Sequence, residues 1–394
     1  MRSISSRTAS RGMTLIELMI AMLIGLVLIL GLVQIFSASR SAYQLSEGLA
    51  RTQENGRFAI DYLQRDLRMA GHFGCVNDQA HVRQTPSGLT TTFGAAAHPA
   101  LDFSVSIQGY EASDTAPGDE VELLETPAVG GAAYTPALPA QFAAALGNRV
   151  EGSDIVVLRY LAPEGVPITS IAGTPVAPQF GFDAARWSVL QSGVGNPGLF
   201  GVADCMSATV FQAAAVNSGG GLVTAGAAPN NAVDFTNVFT SGQAVLYRAE
   251  SIIYYVGLNG SGRPSLYRLR YTATPNGNLV TDPEELVEGV ENMQILYGQD
   301  RELAAASAPT GYIDRQGTAA DVAASVAPAA DGWRRVGTVQ LGLVAASPDR
   351  AASLQASPDN KLNALGVTFT APADGRFRSV YQTTVAVRNR LYGN

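Results

Sequence analysis

Hydrophobic and polar positions divide the chain into a short polar start, one long apolar run and a mixed remainder. Residues 2–12 are polar and carry arginines but no acid, and residues 13–36 are apolar except for Thr14, Glu17 and Gln34. A helix of this length reaches about 36 Å, which exceeds the roughly 30 Å of a bilayer's hydrocarbon core. The pattern predicts a helix that crosses the inner membrane once. The arginines before it predict that the rest of the chain lies in the periplasm.

The helical pattern continues beyond the apolar run, since no proline occurs before Pro86. Apolar or small residues recur at steps of three, four and seven and predict one packed face: Leu45, Leu49, Gly56, Ile60, Leu63, Leu67 and Ala70. We interpret most of the charged residues between them as a solvated face. Glycine commonly closes helices, so Gly71 predicts the end. The expected helix, residues 13–70, is about 87 Å long if straight. Its membrane span is 13–36, and an amphipathic segment, 37–71, continues into the head.

Strand signals dominate residues 72–394, which we expect to form a periplasmic globular head. The strongest segments are rich in tyrosine and β-branched residues: 155–160, 244–258, 265–271, 290–297, 336–345 and 377–392. A Gly-rich turn at 259–264 predicts a β-hairpin. Residues 85–150 and 172–240 are richer in Ala, Gly, Pro and Ser, and we interpret them as loops or insertions. The expected fold class is α+β, a long helix packed on a strand-rich, loop-decorated head.

Composition limits the function. Hydrophobic residues make up 46% of the chain and charged residues 15%, which is enough apolar material for a sizeable core. A net charge of −7 and a pI near 5.1 argue against a nucleic-acid partner. The sequence has no HExxH, CxxC, GxSxG or P-loop motif. Its histidines, His72, His81 and His98, have no recognisable spacing. We therefore expect neither an enzyme nor a bound metal or other cofactor.

Cys75 and Cys205 are the two cysteines of the chain. An even pair in a chain that enters an oxidising compartment favours a disulfide. The alternative is a catalytic thiol, which would need a histidine to activate it. A disulfide would tie the end of the long helix to the middle of the head.

Glu17 is an acid inside the apolar run. A carboxylate at this depth costs a few kcal/mol, so it is a functional candidate. No Lys or Arg lies between Gly12 and Arg40. If the chain were cut after Gly12, Met13 would carry a free amine, and that amine on a neighbouring subunit could neutralise Glu17. A secretory signal peptide would instead have a shorter apolar core and a small-x-small cleavage site. A plain signal anchor would not need the acid.

The string RGMTLIE, residues 11–17, resembles the class III signal of type IV prepilins and pseudopilins. In that family a prepilin peptidase cuts after the glycine and N-methylates the new first residue. The resemblance implies that residues 1–12 are a leader peptide and that Gly12 precedes the cut. It further implies that Met13 is the methylated N-terminus and Glu17 the assembly residue. Most of the family has Phe where this chain has Met13, which is equally apolar.

Several head segments, together with the helix, resemble PilW-type minor pilins of the type IV pilus. The matching segments are DLRMAGHFGC ending at Cys75, SLYRLRY at 265–271, ELVEGVENMQILYG at 285–298 and VAVRNRL at 385–391. The segment ADCMSATVFQ around Cys205 also matches and supports its pairing with Cys75. The region 285–298 looks like the J-type pseudopilin of type II secretion as well, which is the nearest rival.

This resemblance implies a minor subunit that primes pilus assembly and sits near the filament tip, first in the inner membrane and then in the extracellular pilus. The implied partners are the prepilin peptidase, other minor pilins, the major pilin and a tip adhesin. The family's tip-most member often lacks the acid, so Glu17 implies a place just below the tip. A J-type pseudopilin and a membrane-anchored adhesin or ligand-binding head stay open. The aromatic residues considered for such a head are Tyr134, Phe180, Phe182, Trp187 and Trp333.

Overall fold

The computed structural model describes residues 12–77, 88–94, 97–304, 307, 309–351, 360–387 and 389. Most of the predicted leader, residues 1–11, lies outside the described residues, as do His81 and Pro86.

One helix, α1 (Leu15–Met69), contains 55 residues and begins on the side chain of Thr14. Ala70 is its C-cap, and Gly71 follows with a φ of 76°, so the predicted end of the helix is confirmed. A left-handed residue at this point suits glycine because it has no Cβ. The most apolar 18-residue window of α1 has a mean hydropathy of 2.8, and none of it is buried in the chain. The membrane half of α1 therefore projects from the head.

The second half of α1 packs against the head through a narrow row of side chains. The buried members are Gly48, Thr52, Gly56, Ala59, Leu63, Asp66 and Leu67. Their spacing follows the steps of three and four that bring residues to one side of a helix. The predicted face is confirmed at Gly56, Leu63, Leu67 and Ala70.

The predicted face is wrong at Leu45 and Leu49, which are 42% and 37% exposed. Small residues form the packed side there, because the head approaches the helix closely. A Cβ atom added to Gly48 would collide with the side chain of Ala351, and one added to Gly56 would collide with the ring of Tyr381. Hydrophobic periodicity does not reveal such close approaches, which depend on residues far away in the sequence.

The head contains short helices and many strands. Its helices are α2 (Ala140–Ala145), α3 (Trp187–Gln191), α4 (Ala319–Ser325) and α5 (Ala329–Trp333), with 3-10 turns at Pro99–Leu101 and Ala184–Arg186. The strands are β1 (His72–Phe73), β2 (Val76–Asn77), β3 (Leu89–Thr91), β4 (Ile107–Ala112), β5 (Glu120–Glu122), β6 (Tyr134–Thr135), β7 (Ile155–Leu161), β8 (Val166–Thr174), β9 (Ala177–Phe182), β10 (Leu199–Ala203), β11 (Ala208–Gln212), β12 (Ala215–Asn217), β13 (Leu222–Thr224), β14 (Val245–Leu258), β15 (Pro264–Ala273), β16 (Leu279–Glu288), β17 (Val290–Asp300), β18 (Ile313–Gly317), β19 (Val336–Arg350), β20 (Lys361–Ala364), β21 (Val367–Thr370) and β22 (Arg376–Ala386). The α+β class is confirmed.

Strand β14 is the centre of the largest sheet in the described part of the chain. Its first residues pair with β10 and β8, and from Ala249 onward it pairs with β7 and β15. One long strand therefore belongs to two halves of the sheet. The first half adds β9, β11, β13, β12 and β3, and the second adds β4, β6 and β16. The sequence of β14 suits this position because five of its seven β-branched and aromatic residues are buried.

A second sheet has the order β18-β17-β19-β22 and is antiparallel throughout. Helix α1 packs on β19 and β22, and a shared core fills the space between this sheet, the helix and the second half of the large sheet. Leu63, Tyr254, Ile295, Leu341 and Trp333 belong to that core. Strands β20, β21 and β5 form a small third sheet, and β1 pairs with β2.

All six predicted strand segments form strands, and the hairpin between β14 and β15 is confirmed. The last segment is shorter than predicted, since the described strand β22 ends at Ala386. The interpretation of 85–150 and 172–240 as loops or insertions was incomplete. They contain strands β3 to β6 and β8 to β13, and the second region packs a core of its own around Phe180, Phe200 and Phe211. Short strands of Ala and Gly give weak sequence signals.

Candidate assembly site

Glu17 lies in the first turn of α1, where it closes a capping box with Thr14. Its Oε2 accepts a hydrogen bond from the Thr14 backbone N–H at 3.0 Å and from the Thr14 hydroxyl at 2.9 Å. The Thr14 Oγ1 in turn accepts from the Glu17 backbone N–H at 3.3 Å. This exchange satisfies N–H groups that a helix start leaves without partners. No described residue donates to the second carboxylate oxygen, Oε1.

The surroundings of Glu17 are apolar and open. Met13, Leu15 and Ile16 are 67%, 77% and 67% exposed, and exposure continues along the helix to Phe36. Within the described residues no cation contacts Glu17, so the Thr14 N–H and hydroxyl, together with the positive end of the helix dipole, offset the cost of placing this charge among apolar groups. The helix start is therefore a polar point on the apolar half of α1, and neighbouring helices can reach it from every side.

The structure brings four positions of this site together at the helix start: Gly12, Met13, Thr14 and Glu17. Gly12, Met13 and Glu17 were predicted as site residues. Their roles in leader cleavage, N-methylation and subunit assembly stay predictions. Thr14 was missed as a functional residue. Its signal is present in the sequence, since a threonine three residues before a glutamate at the start of an apolar run is the capping-box pattern.

The predicted disulfide is confirmed at the other end of the helix. Cys75 lies in the turn between β1 and β2, Cys205 lies in the turn between β10 and β11, and the two are bonded with their Cα atoms 4.7 Å apart. The bond closes a loop across a sequence separation of 130. The chain-entropy model values such a loop at about 5 kcal/mol, less any strain. A catalytic thiol is thereby excluded for both cysteines. The ring of nearby His72 contacts the Leu161 carbonyl instead.

A buried polar contact holds α1 to the large sheet. Asp66, 5% exposed, accepts a hydrogen bond from the Tyr254 hydroxyl at 2.6 Å and from the Arg268 guanidinium at 3.2 Å. Arg268 also donates to Glu284 at 2.7 Å. Burial, together with the charge of Asp66, raises the pKa of Tyr254 well above its usual value. Tyr254 therefore stays a hydrogen-bond donor at any physiological pH.

The end of α1 is fixed by a residue from the opposite end of the chain. Asn389 donates from its side-chain amide to the Arg68 carbonyl at 3.0 Å and to the Ala70 carbonyl at 3.4 Å. These are carbonyls that a helix end leaves without intrahelical partners. A sequence reading has no signal for this contact, because Asn389 is 321 residues away from Arg68.

A pair of buried carboxyl groups lies where the two large sheets meet. Asp154 accepts from the backbone N–H of Ala112 in β4 at 3.0 Å and from that of Ile295 in β17 at 2.9 Å. Burial raises the pKa of Asp154. Burial, with the charge of Asp154 nearby, raises the pKa of Glu111 to about 9. Asp154 joins the two sheets, and both carboxyl groups are buried, so we assign the pair a structural role.

The aromatic residues considered for a recognition surface lie mainly inside the head. Phe180, Phe182 and Trp333 are 1%, 5% and 1% exposed, and Tyr134 is 7% exposed. Trp187 is partly buried and stacks on Phe182 with ring centroids 6.0 Å apart. These five side chains therefore pack the core and its margins. Across the part of the chain that the structure describes, no group of His, Cys, Asp or Glu is arranged to hold a metal ion.

Comparison with known families agrees with this geometry. Residues 7–33 match the prokaryotic N-terminal methylation motif of pilin-type proteins, which together with the apolar N-terminal helix supports membrane anchoring. Residues 253–389 match the type IV pilus-assembly protein W family. The resemblance to PilW-type minor pilins is therefore confirmed. Searches of curated proteins and of solved structures gave no match.

The PilW match covers the part of the head that surrounds α1. It begins inside β14 and includes β15 to β22, and so it contains Arg268, Tyr254 and Asn389, which contact the helix. Residues 34–252 lie outside both matches. The matched region therefore contains residues that hold α1 in place. The separate core around Phe180, Phe200 and Phe211 lies outside the match.

Proposed function

We propose that this chain is a minor pilin that primes type IV pilus assembly and joins the filament near its tip. It is made as a prepilin, cut after Gly12 and N-methylated on Met13. The helix anchors it in the inner membrane with the head in the periplasm until it enters the pilus. Its partners are the prepilin peptidase, the other minor pilins and the major pilin. This is a structural role, and the family matches support such a role rather than catalysis.

Glu17 is the observation that carries the proposal. It is an acid in an exposed apolar helix with one carboxylate oxygen that no described residue satisfies. Cutting after Gly12 would create a positive amine on Met13, about 6 Å along the axis before Glu17 at 1.5 Å per residue. A parallel neighbour displaced by about this distance toward the periplasm would bring its amine level with Glu17. The Met13 amine of one subunit and the Glu17 carboxylate of the other would then neutralise each other, and both charges are costly in lipid.

Two observations favour this role over the alternatives. The PilW family match includes the segment that also looks like a J-type pseudopilin, which supports the pilus system. The candidate recognition aromatics pack inside the head or at its margin, which removes the main support for an adhesin or ligand-binding head. A place just below the tip is the finer part of the proposal, because Glu17 lets this chain accept the amine of a subunit ahead of it.

The intact mass of the protein extracted from membranes tests the proposal directly. We expect a chain that has lost residues 1–12 and gained one methyl group on Met13. A full-length product, or cleavage at another position, would contradict the proposal. A Gly12→Ala variant is the matched control, since it changes one small residue at the cut and should leave the uncut mass in the membrane.

A further inference from the structure

A groove runs along the solvent side of α1, between the helix and the end of β16. It has a volume of about 810 Å³ and is lined by helix residues from Tyr43 to Tyr62 and by Leu286, Val287 and Glu288 of β16. The span from Tyr43 to Tyr62 corresponds to about 28 Å of helix. Its lining follows steps of three and four along α1, which places these side chains on a different side from Gly48 and Gly56.

Three aromatic side chains that line this groove are exposed to solvent. Tyr43, Phe58 and Tyr62 are 69%, 48% and 36% exposed. Large aromatic groups on an exposed helix face are characteristic of binding surfaces, because they bury much area when a partner covers them. Helix α1 therefore has one face of small residues closed against the head and one face of aromatic residues that remains uncovered.

The charge of the groove is acidic. Glu47, Glu54 and Glu288 line it together with one arginine, Arg51. Arg51 is already paired with Glu47 at 2.8 Å, and Glu288 pairs with Arg263 at 3.1 Å. Glu54 has no ion pair with any described residue. The unpaired acid in the middle of the groove favours a partner that carries Lys or Arg.

The neighbouring strand edge argues against a partner that adds a strand. Among the described strands β16 pairs with β15 alone, so its outer edge carries no further strand, although the Asn55 side chain donates to the Glu288 carbonyl at 3.0 Å. This edge carries Pro283, which lacks an N–H, and the acids Asp282, Glu284 and Glu285. Proline and charge on an edge strand oppose the addition of another strand. A helix laid against α1 avoids this edge.

The position of the groove indicates where such a helix comes from. Tyr43 lies about 10 Å beyond Phe36, the last residue of the apolar run. A second helix that leaves the same membrane beside α1 would enter the groove at its Tyr43 end and continue along it. We propose that the groove binds the juxtamembrane helix of another pilin-type subunit. Its Lys or Arg side chain faces Glu54, and its apolar residues contact Phe58 and Tyr62. This inference rests on the proposed function and specifies the surface of α1 that another subunit would contact.

Photo-crosslinking in membranes tests the inference with the full chain and its co-produced sibling pilins. The crosslinking residue p-benzoylphenylalanine replaces Phe58, which is half exposed, and in a control it replaces Tyr312, which is 68% exposed on the head. We expect an adduct from position 58 with one sibling pilin, mapped to a basic segment just outside its membrane span. Position 312 should not give that adduct.

A charge exchange makes the test specific. Glu54→Arg should lower the yield of the adduct about fivefold, as expected when an attractive charge becomes a repulsive one. Reversing the Lys or Arg of the crosslinked partner segment should restore it. Glu164→Arg is the matched control, because Glu164 is exposed and does not line the groove.

Three results would overturn the inference. They are an adduct to a protein that is not a pilin, no adduct while the chain still co-purifies with its siblings, and an adduct that Glu54→Arg leaves unchanged. In each case the proposed function survives. If the unaltered chain is processed at another site and co-purifies with no pilin, both the inference and the proposed function fail.

Discussion

The ring of Tyr381 covers Gly56 where α1 crosses β22, and no atom larger than hydrogen fits between them. The glycine therefore sets how closely the long helix lies on the four-stranded sheet. We expect Gly56→Ala to lower the free energy of unfolding by about 1–3 kcal/mol, because the partly buried ring, which packs against the core, must shift away from the helix. Thermal unfolding of the detergent-solubilised chain measures this. Gly260→Ala is the control, since a Cβ atom there meets nothing within 4 Å.

Removing the charge of Glu17 separates assembly from folding. Glutamine keeps an oxygen that accepts from Thr14, so Glu17→Gln preserves the capping box and removes only the charge. We expect this variant to reach the membrane with an unchanged melting temperature and to co-purify with other minor pilins several-fold less. Gln34→Ala, which removes a polar group from the same apolar run, should co-purify normally. Equal recovery of the Glu17→Gln variant and the unaltered chain would contradict the assembly role.

The Cys75–Cys205 bond should contribute strongly to the stability of the head. Replacing both cysteines by serine is expected to lower the free energy of unfolding by about 2–5 kcal/mol, the usual range for a native disulfide. Chemical denaturation of the oxidised chain and of the double variant measures the difference. Treatment with a reductant should lower the stability of the unaltered chain and leave that of the variant unchanged. Stability that does not respond to reductant would rule out this contribution.

Glu111 makes the stability of the head depend on pH. Its pKa is raised in the folded state to about 9 from the usual 4.5, so folding favours the protonated form. This stabilisation is complete below pH 4.5 and is lost as the pH rises toward 9. We expect the free energy of unfolding to fall by more than about 1 kcal/mol between about pH 5 and pH 9. Glu111→Gln should reduce that fall. Glu122→Gln, at an exposed position of β5, should leave it unchanged.

Asp66 should be the most sensitive charged residue of α1. Asp66→Ala leaves the Tyr254 hydroxyl and the Arg268 guanidinium buried without their shared acceptor. We expect it to cost about 1–3 kcal/mol, the penalty for a buried polar group that loses its partner, because Arg268 keeps its pair with Glu284. Asp61→Ala removes an acid from the exposed face of the same helix, where Arg57 is 4.0 Å away, and should change stability by less than about 0.5 kcal/mol. Similar losses in both variants would show that burial does not matter here.

Local patterns predicted the features of this chain that depend on neighbouring residues. The long helix, its end at Gly71 and the β14–β15 hairpin each follow from residues close in sequence. The pairing of the cysteines could be predicted because the chain has only two.

Features that depend on contacts between residues far apart in the sequence could not be predicted from local patterns. The packed face of α1 shifts from Leu45 and Leu49 to Gly48 because Ala351 fills the space beside it. Asn389 reaches the helix end from the far end of the chain, and nothing in its own neighbourhood indicates this. Thr14 is a different case, because the capping-box pattern that it forms with Glu17 depends on residues three apart and is present in the local sequence.

The position of the disulfide has a mechanical consequence. Cys75 follows the end of α1 by a few residues, and Cys205 lies in the turn between β11 and β10, the strand that pairs with β14. Tension applied along the helix therefore enters the interior of the large sheet through a covalent link and is shared with the contacts of Asp66 and Asn389. A pull on the helix would therefore load β10 and β11 through the disulfide at the same time as it loads the N-terminal end of the head.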